Sequence, residues 1–145
     1  MPAPEIDAKL ILEAAVSPSE DPSKVAAALG QVVSVSPGQV LVGLNSARLV
    51  TGEQGALQHF RDQLRDRHIR SAARRQMLVN RSGVSTSIML NRQAAAAGVL
   101  AVCGGPEESP LGPIYLTISS KKLDATIDWL TGYEAGEATS RLSPS

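Results

Sequence analysis

With 145 residues, 43% of them hydrophobic, the chain can bury a core without staples, and its net charge of zero argues against a protein that coats nucleic acid by bulk attraction alone. No apolar run approaches the ~20 residues a membrane helix needs, and residues 1–5 lack the basic-then-apolar order of a signal peptide. A lone Cys103 excludes an intramolecular disulfide, so one cytoplasmic domain is expected over residues 1–133, followed by a disordered polar tail over 134–145.

Residues 6–16 alternate. Ile6, Ala8, Leu10, Leu12, Ala14 and Val16 fall on one side and Asp7, Lys9 and Glu13 on the other, with Ile11 the exception. A period of two with one polar face predicts a half-buried strand of an antiparallel sheet. Asp21 is then suited to accept from free helix amides, and Pro22 at the first helical position loses no intrahelical bond. Val25, Leu29, Val32 and Val33 follow at helical spacing and predict a helix over 22–31. After a turn at Ser36-Pro37-Gly38, short strands are expected over 40–45 and 47–50, as a hairpin around Asn45-Ser46. A second helix is expected over 54–66, with Leu57, Phe60 and Leu64 facing the core.

Were that helix to continue, its apolar stripe would change sides, because Ile69, Ala73 and Met77 lie roughly opposite at ~100° per residue. One helix cannot bury both stripes against one sheet. A break near Arg67-His68 and a third helix over 69–79 follow, ended by Asn80-Arg81-Ser82-Gly83. Val84, Thr86, Ile88 and Leu90 predict a strand, 91–97 a short helical turn ended by Gly98, and 99–103 another strand. After a loop over 104–112, Ile114, Leu116 and Ile118 predict the last strand. Ser119 or Ser120 then caps a helix over 121–130 with Leu123, Ile127 and Leu130 inward. This irregular interleaving predicts an α+β fold, a mainly antiparallel sheet with helices packed on one face.

Catalytic patterns are scarce. His59 and His68 have no Cys or acidic partners at metal-site spacing, and Cys103, with no basic neighbour, reads as a small buried hydrophobe. The glycine-rich stretch 104–113 has neither a Walker pattern nor a dinucleotide fingerprint, and Glu107 and Glu108 would repel a phosphate. No enzyme, metal or cofactor is expected.

The arginines are distributed unevenly. Between Arg61 and Arg92 eight arginines stand against Asp62 and Asp66, which gives that segment +6 and the remainder −6, and no acidic residue occurs between Arg67 and Pro106. On a third helix Arg67, Arg70 and Arg74 share a face, with Arg75 at its margin and Arg81 just beyond. The planar guanidinium fork matches phosphate oxygens. A solvated helix face usually interleaves both signs, which this segment does not. Aromatic stacking has little support: Phe60 reads as core, and Tyr115 is left to stack a base or to bury in a dimer contact.

The run Leu90-Asn91-Arg92-Gln93-Ala94-Ala95, followed by Ser109-Pro110-Leu111-Gly112-Pro113-Ile114, resembles an archaeal family of small uncharacterised proteins grouped as RNA-binding. Pro18-Ser19-Glu20-Asp21 with Val25, and Leu64-Arg65 before Ile69 and Ala72-Ala73-Arg74, agree in order, so the resemblance spans residues 6–130. Arg92 departs mildly by standing where lysine is usual, and Ala96-Ala97 replaces a bulkier pair. The resemblance implies a fold similar to the 5S-rRNA-binding ribosomal protein of the large subunit, a homodimer and a cytoplasmic location.

The expected ligand is therefore structured RNA, with Arg65, Arg67, Arg70, Arg74, Arg75, Arg81 and Arg92 on phosphate. Asn91 and Gln93 either add polar contacts or cap the turn after the strand. The alternative is a dimeric protein-interaction module without nucleic acid, its arginines meeting an acidic partner surface.

Overall fold

The computed structural model describes residues 7–65, 67–109 and 111–132, leaving out also the side chains of Pro37, Arg67 and His68. The tail expected over 134–145 lies outside the described residues. In chain order the elements are β1 (Lys9–Ala15), α1 (Pro22–Val33), β2 (Leu41–Val42), β3 (Ser46–Thr51), α2 (Gln54–Gln63), α3 (Arg67–Val79), β4 (Ser85–Leu90), α4 (Arg92–Ala96), β5 (Ile114–Ser119) and α5 (Leu123–Leu130).

All strands pair antiparallel in the order β2-β3-β1-β5-β4. β1 is central because its alternation is the cleanest: Leu10 and Leu12 are fully buried, while Lys9 and Glu13 are exposed on the other face. Leu12 stands opposite Leu49 on β3 and Leu116 on β5, and Leu116 opposite Ile88 on β4, so one apolar row crosses four strands. The helices cover this face with Leu29, Leu57, Phe60, Met77 and Ile127. The opposite face carries Arg48, Val50, Tyr115, Thr117, Ser87 and Met89, all exposed or half-buried. The fold is thus the expected α+β class.

The stripe argument explains the helical hairpin. α2 ends at Gln63, where the Leu64 N–H turns back to Arg61 O, and α3 begins at Arg67. The break lets Leu57, Phe60 and Leu64 bury along with Ala73 and Met77.

One expected strand is not formed. Residues 99–103 make only an isolated bridge, Leu90 to Val102. Cys103 N–H donates to Met89 O at 2.8 Å, but the return bond of the ladder is missing. The side chain of Gln76 on α3 stands in for it, accepting from Met89 N–H and donating to Cys103 O. An amide from another element has replaced the next rung. Cys103 itself is 1% exposed, and burial, with Glu108 and Glu107 nearby, pushes its thiol up.

Candidate nucleic-acid interface

α3 and α5 lie side by side and antiparallel, because Arg74 on α3 pairs with Asp128 while Arg81, beyond the end of α3, pairs with Asp124. Acidic residues at i and i+4 on α5 thus meet basic residues at i and i+7 along α3. Arg74 Nη1 donates to Asp128 Oδ1 at 2.8 Å and to Thr131 Oγ1 at 3.0 Å, and its side chain is only 20% exposed. It fastens α3 to the last turn of α5, where a cation also meets the negative end of the helix dipole. The Arg81 pair is more open, with side chains 45% and 74% exposed.

Further arginines gather at the same end of α5. Arg61 Nε donates to Trp129 O at 2.7 Å, and its guanidinium lies 5.1 Å from the centre of the Trp129 ring. Arg70 Nη1 sits 2.9 Å from where a Cβ on Gly132 would stand, a contact the flexible arginine could relieve, and it is the backbone φ of +71° that favours glycine there. Arg61, Arg65 and Arg70, with Leu64, Leu130 and Gly132, line a cleft of about 210 Å³. At the other end of α5 a cleft of about 450 Å³ is lined by Arg81, Lys121 and Lys122, with Asp124 its carboxylate.

The expected contacts therefore divide. Arg75 is exposed with no ion pair among the described residues, and Arg65 is 78% exposed, its Asp62 partner 3.3 Å away. Arg67 falls on a side chain outside the description. Lys121 and Lys122 are contributors the sequence reading missed, since only the antiparallel packing of α3 and α5 brings them beside Arg81. Among the described side chains from Arg61 to Arg81 and from Lys121 to Leu130, eight cations stand against Asp62, Asp124 and Asp128, an excess of +5.

Arg92 is a correction. The sequence offered it as a phosphate contact, but its side chain is 5% exposed and packed among three segments. Its Nη1 donates to both Glu20 oxygens at 2.7 Å, and its Nε donates to Gly112 O at 3.0 Å. The carboxylate comes from 72 residues earlier in the chain, so a count of local acids could not find it. Burial pushes Glu20 up, but the Ser17 N–H and the Arg92 guanidinium outweigh it and hold the carboxyl below its ordinary range. Asn91 caps α4 by accepting from Ala94 N–H at 2.9 Å, and Gln93 Oε1 accepts from the Ser109 hydroxyl at 3.2 Å. For Asn91 the capping alternative accounts for the geometry, whereas Gln93 ties α4 to the loop at Ser109. The segments that carry the family resemblance, 18–21, 90–95 and 109–114, thus meet at one structural junction.

No helix among the described residues is long and apolar enough to cross a membrane. No family model matches the chain. It is 37% identical over 131 residues to a UPF0201 protein of Sulfurisphaera tokodaii, covering 85% of this chain and 86% of the relative. A UPF0201 protein of Metallosphaera sedula is 33% identical over 125 residues, covering 84% and 86%. The crystal structure of a UPF0201 protein from Methanococcus jannaschii superposes with a TM-score of 0.69 at 20% identity, covering 89% of this chain and 96% of that one, a likeness of fold. With this fold, and with relatives matched along most of its length, the chain belongs to the archaeal UPF0201 family of uncharacterised proteins.

Proposed function

We propose that the chain is a cytoplasmic RNA-binding protein that grips phosphate along the ridge formed by α3 and α5 and catalyses no reaction. The observation that carries this reading is the +5 excess among the described side chains of that ridge and the adjoining end of α2, with the described carboxylates Asp62, Asp124 and Asp128 counted. Arg65, Arg70, Arg75, Arg81, Lys121 and Lys122 are the proposed contacts. Recognition follows backbone shape, because the ridge presents phosphate-type donors without the aromatic platform that stacks bases. The kinship with the 5S-rRNA-binding ribosomal fold belongs to the same proposal.

The test is fluorescence anisotropy on single-stranded RNA of several sequences, with the wild type and Arg75→Ala/Lys121→Ala/Lys122→Ala. Three exposed charge contacts at about 0.5 kcal/mol each amount to roughly tenfold weaker binding, the same for every sequence. Unchanged affinity in the triple variant removes the ridge from the binding surface.

A second reading, a homodimeric assembly module without nucleic acid, is favoured by a different surface. Leu41, 74% exposed, stands on the short edge strand β2, Leu44, 95% exposed, in the turn that follows it, and Val50, 48% exposed, on the neighbouring β3. Exposed apolar groups at a sheet edge suit a protein contact. Sedimentation of Leu41→Glu/Leu44→Glu separates the readings, since a dimer built there becomes a monomer while RNA binding by the ridge persists.

A further inference from the structure

We infer that the cleft between α2, α3 and the last turn of α5 is a site for one phosphate group, fitted best by a terminal phosphate monoester. As the place where an RNA end docks it rests on the reading above; as an anion site it stands by itself.

Three guanidinium groups, Arg61, Arg65 and Arg70, line this one small cleft. Each offers a planar set of donors that matches phosphate oxygens. Holding the end of α5 is their simplest alternative use, and its size can be compared with the charge present. A helix C-terminus carries about −0.5 of an elementary charge. Asp62 contributes one more negative charge, at 3.3 Å from an Arg65 that is 78% exposed. Against three positive charges this leaves roughly +1.5 among the described residues, more than capping requires. A phosphate monoester carries about −1.5 to −2 at pH 7 and a diester carries less, so the monoester is the closer match.

The donors are also committed unequally. Arg61 spends Nε on Trp129 O, whereas Arg70, whose Nη1 lies beside Gly132, has no hydrogen bond or ion pair among the described residues. A guanidinium that lines the cleft with no acceptor among the described residues is the part of it left for a ligand. Size narrows the class. About 210 Å³ is below the ~300 Å³ at which pockets for drug-sized ligands begin, so the cleft takes the phosphate and leaves the attached nucleoside outside.

Thermal unfolding of the full chain in rising inorganic phosphate, at constant ionic strength, tests the site in the wild type, Arg70→Ala, Arg65→Ala and Arg75→Ala. Phosphate stabilises any folded protein by exclusion from its surface, an effect that does not saturate and is common to all four. The site predicts a saturable rise in Tm on top of this, in the wild type and Arg75→Ala, weakened in Arg65→Ala and lost in Arg70→Ala. Arg65 is too exposed for its removal to unfold the chain, so a folding defect in Arg70→Ala would not hide the answer. No saturable rise, or one that neither cleft variant diminishes, overturns the site. The bearer of the phosphate is read in a second arm, with one oligoribonucleotide carrying a 5′-phosphate or a 5′-hydroxyl. Roughly tenfold preference for the phosphorylated end, lost in Arg70→Ala, assigns the site to RNA ends. Equal affinity with the phosphate-dependent rise intact overturns that assignment and leaves a site for a free phosphorylated molecule. RNA binding that fails altogether, with the rise intact, contradicts the ridge reading and not the cleft.

Discussion

Arg92 and Arg81 carry the same side chain and each meets a carboxylate, yet they belong to different kinds of surface. The Arg92–Glu20 pair is 5% and 13% exposed, bidentate, and tied also to Gly112 O. The Arg81–Asp124 pair is 45% and 74% exposed. In water such a pair contributes about 0–1 kcal/mol, so a phosphate can displace the aspartate at little cost. In the interior the carboxylate cannot be exchanged, because whichever partner stayed behind would be a bare buried charge. Burial, not charge, decides which arginines remain available to a ligand. Arg74, at 20% exposure, stands between the two.

The strongest challenge to this contrast is Arg92→Ala. It leaves the largely buried Glu20 carboxylate with the Ser17 N–H but no counter-charge, and is expected to cost about 3–5 kcal/mol in urea unfolding, against RNA affinity unchanged in whatever remains folded. A loss under about 1 kcal/mol would show that the junction is solvated after all. The junction is also imperfect: Arg92 Nη2 is buried with no hydrogen-bond partner among the described residues.

Acid sharpens the same side of the comparison. Glu20 has its folded pKa lowered from an ordinary 4.5, so its contribution is complete above about pH 4.5 and is lost as the pH falls through the lowered value. Asp21, held below its ordinary 3.8 by hydrogen bonds from Ser23, adds a loss in the same direction that begins at lower pH. The stability difference between wild type and Arg92→Ala should therefore narrow below pH 4.5, whereas a constant difference would separate Glu20 from it. On the ridge the expected effects are smaller. Arg74→Ala should cost about 1–2 kcal/mol, since its charged hydrogen bonds are only partly screened. Arg81→Ala should cost about 0.2–1 kcal/mol. Equal losses at the two positions would break the graded relation between exposure and role.

How far this could be read from the sequence follows from which information is local. The stripe reversal from Leu57, Phe60 and Leu64 to Ala73 and Met77 is written in consecutive residues, and it placed the α2–α3 break. The alternation of β1 and β5 placed the sheet in the same way. The missing strand at 99–103 was not legible, because its ladder is interrupted by Gln76, more than 20 residues earlier. The Arg92 assignment failed for a similar reason, and the partners of Arg74 and Arg81 were missed with it. A segment free of acids between Arg67 and Pro106 looks unpaired, but Glu20, Asp124 and Asp128 reach it from both sides in the chain. The i,i+4 spacing of Asp124 and Asp128 was visible as a motif, yet only the packing of α5 against α3 gives it meaning.

The reading of the ridge as a phosphate-binding surface is tested most directly by the salt dependence of binding to single-stranded RNA, measured in wild type and Arg75→Ala/Lys121→Ala/Lys122→Ala. The six proposed phosphate contacts predict a slope of log affinity against log salt of roughly −4, and removing three cations should bring it to roughly −2. A shallow slope in the wild type, or an identical slope in the variant, would contradict the claim that these side chains neutralise phosphate.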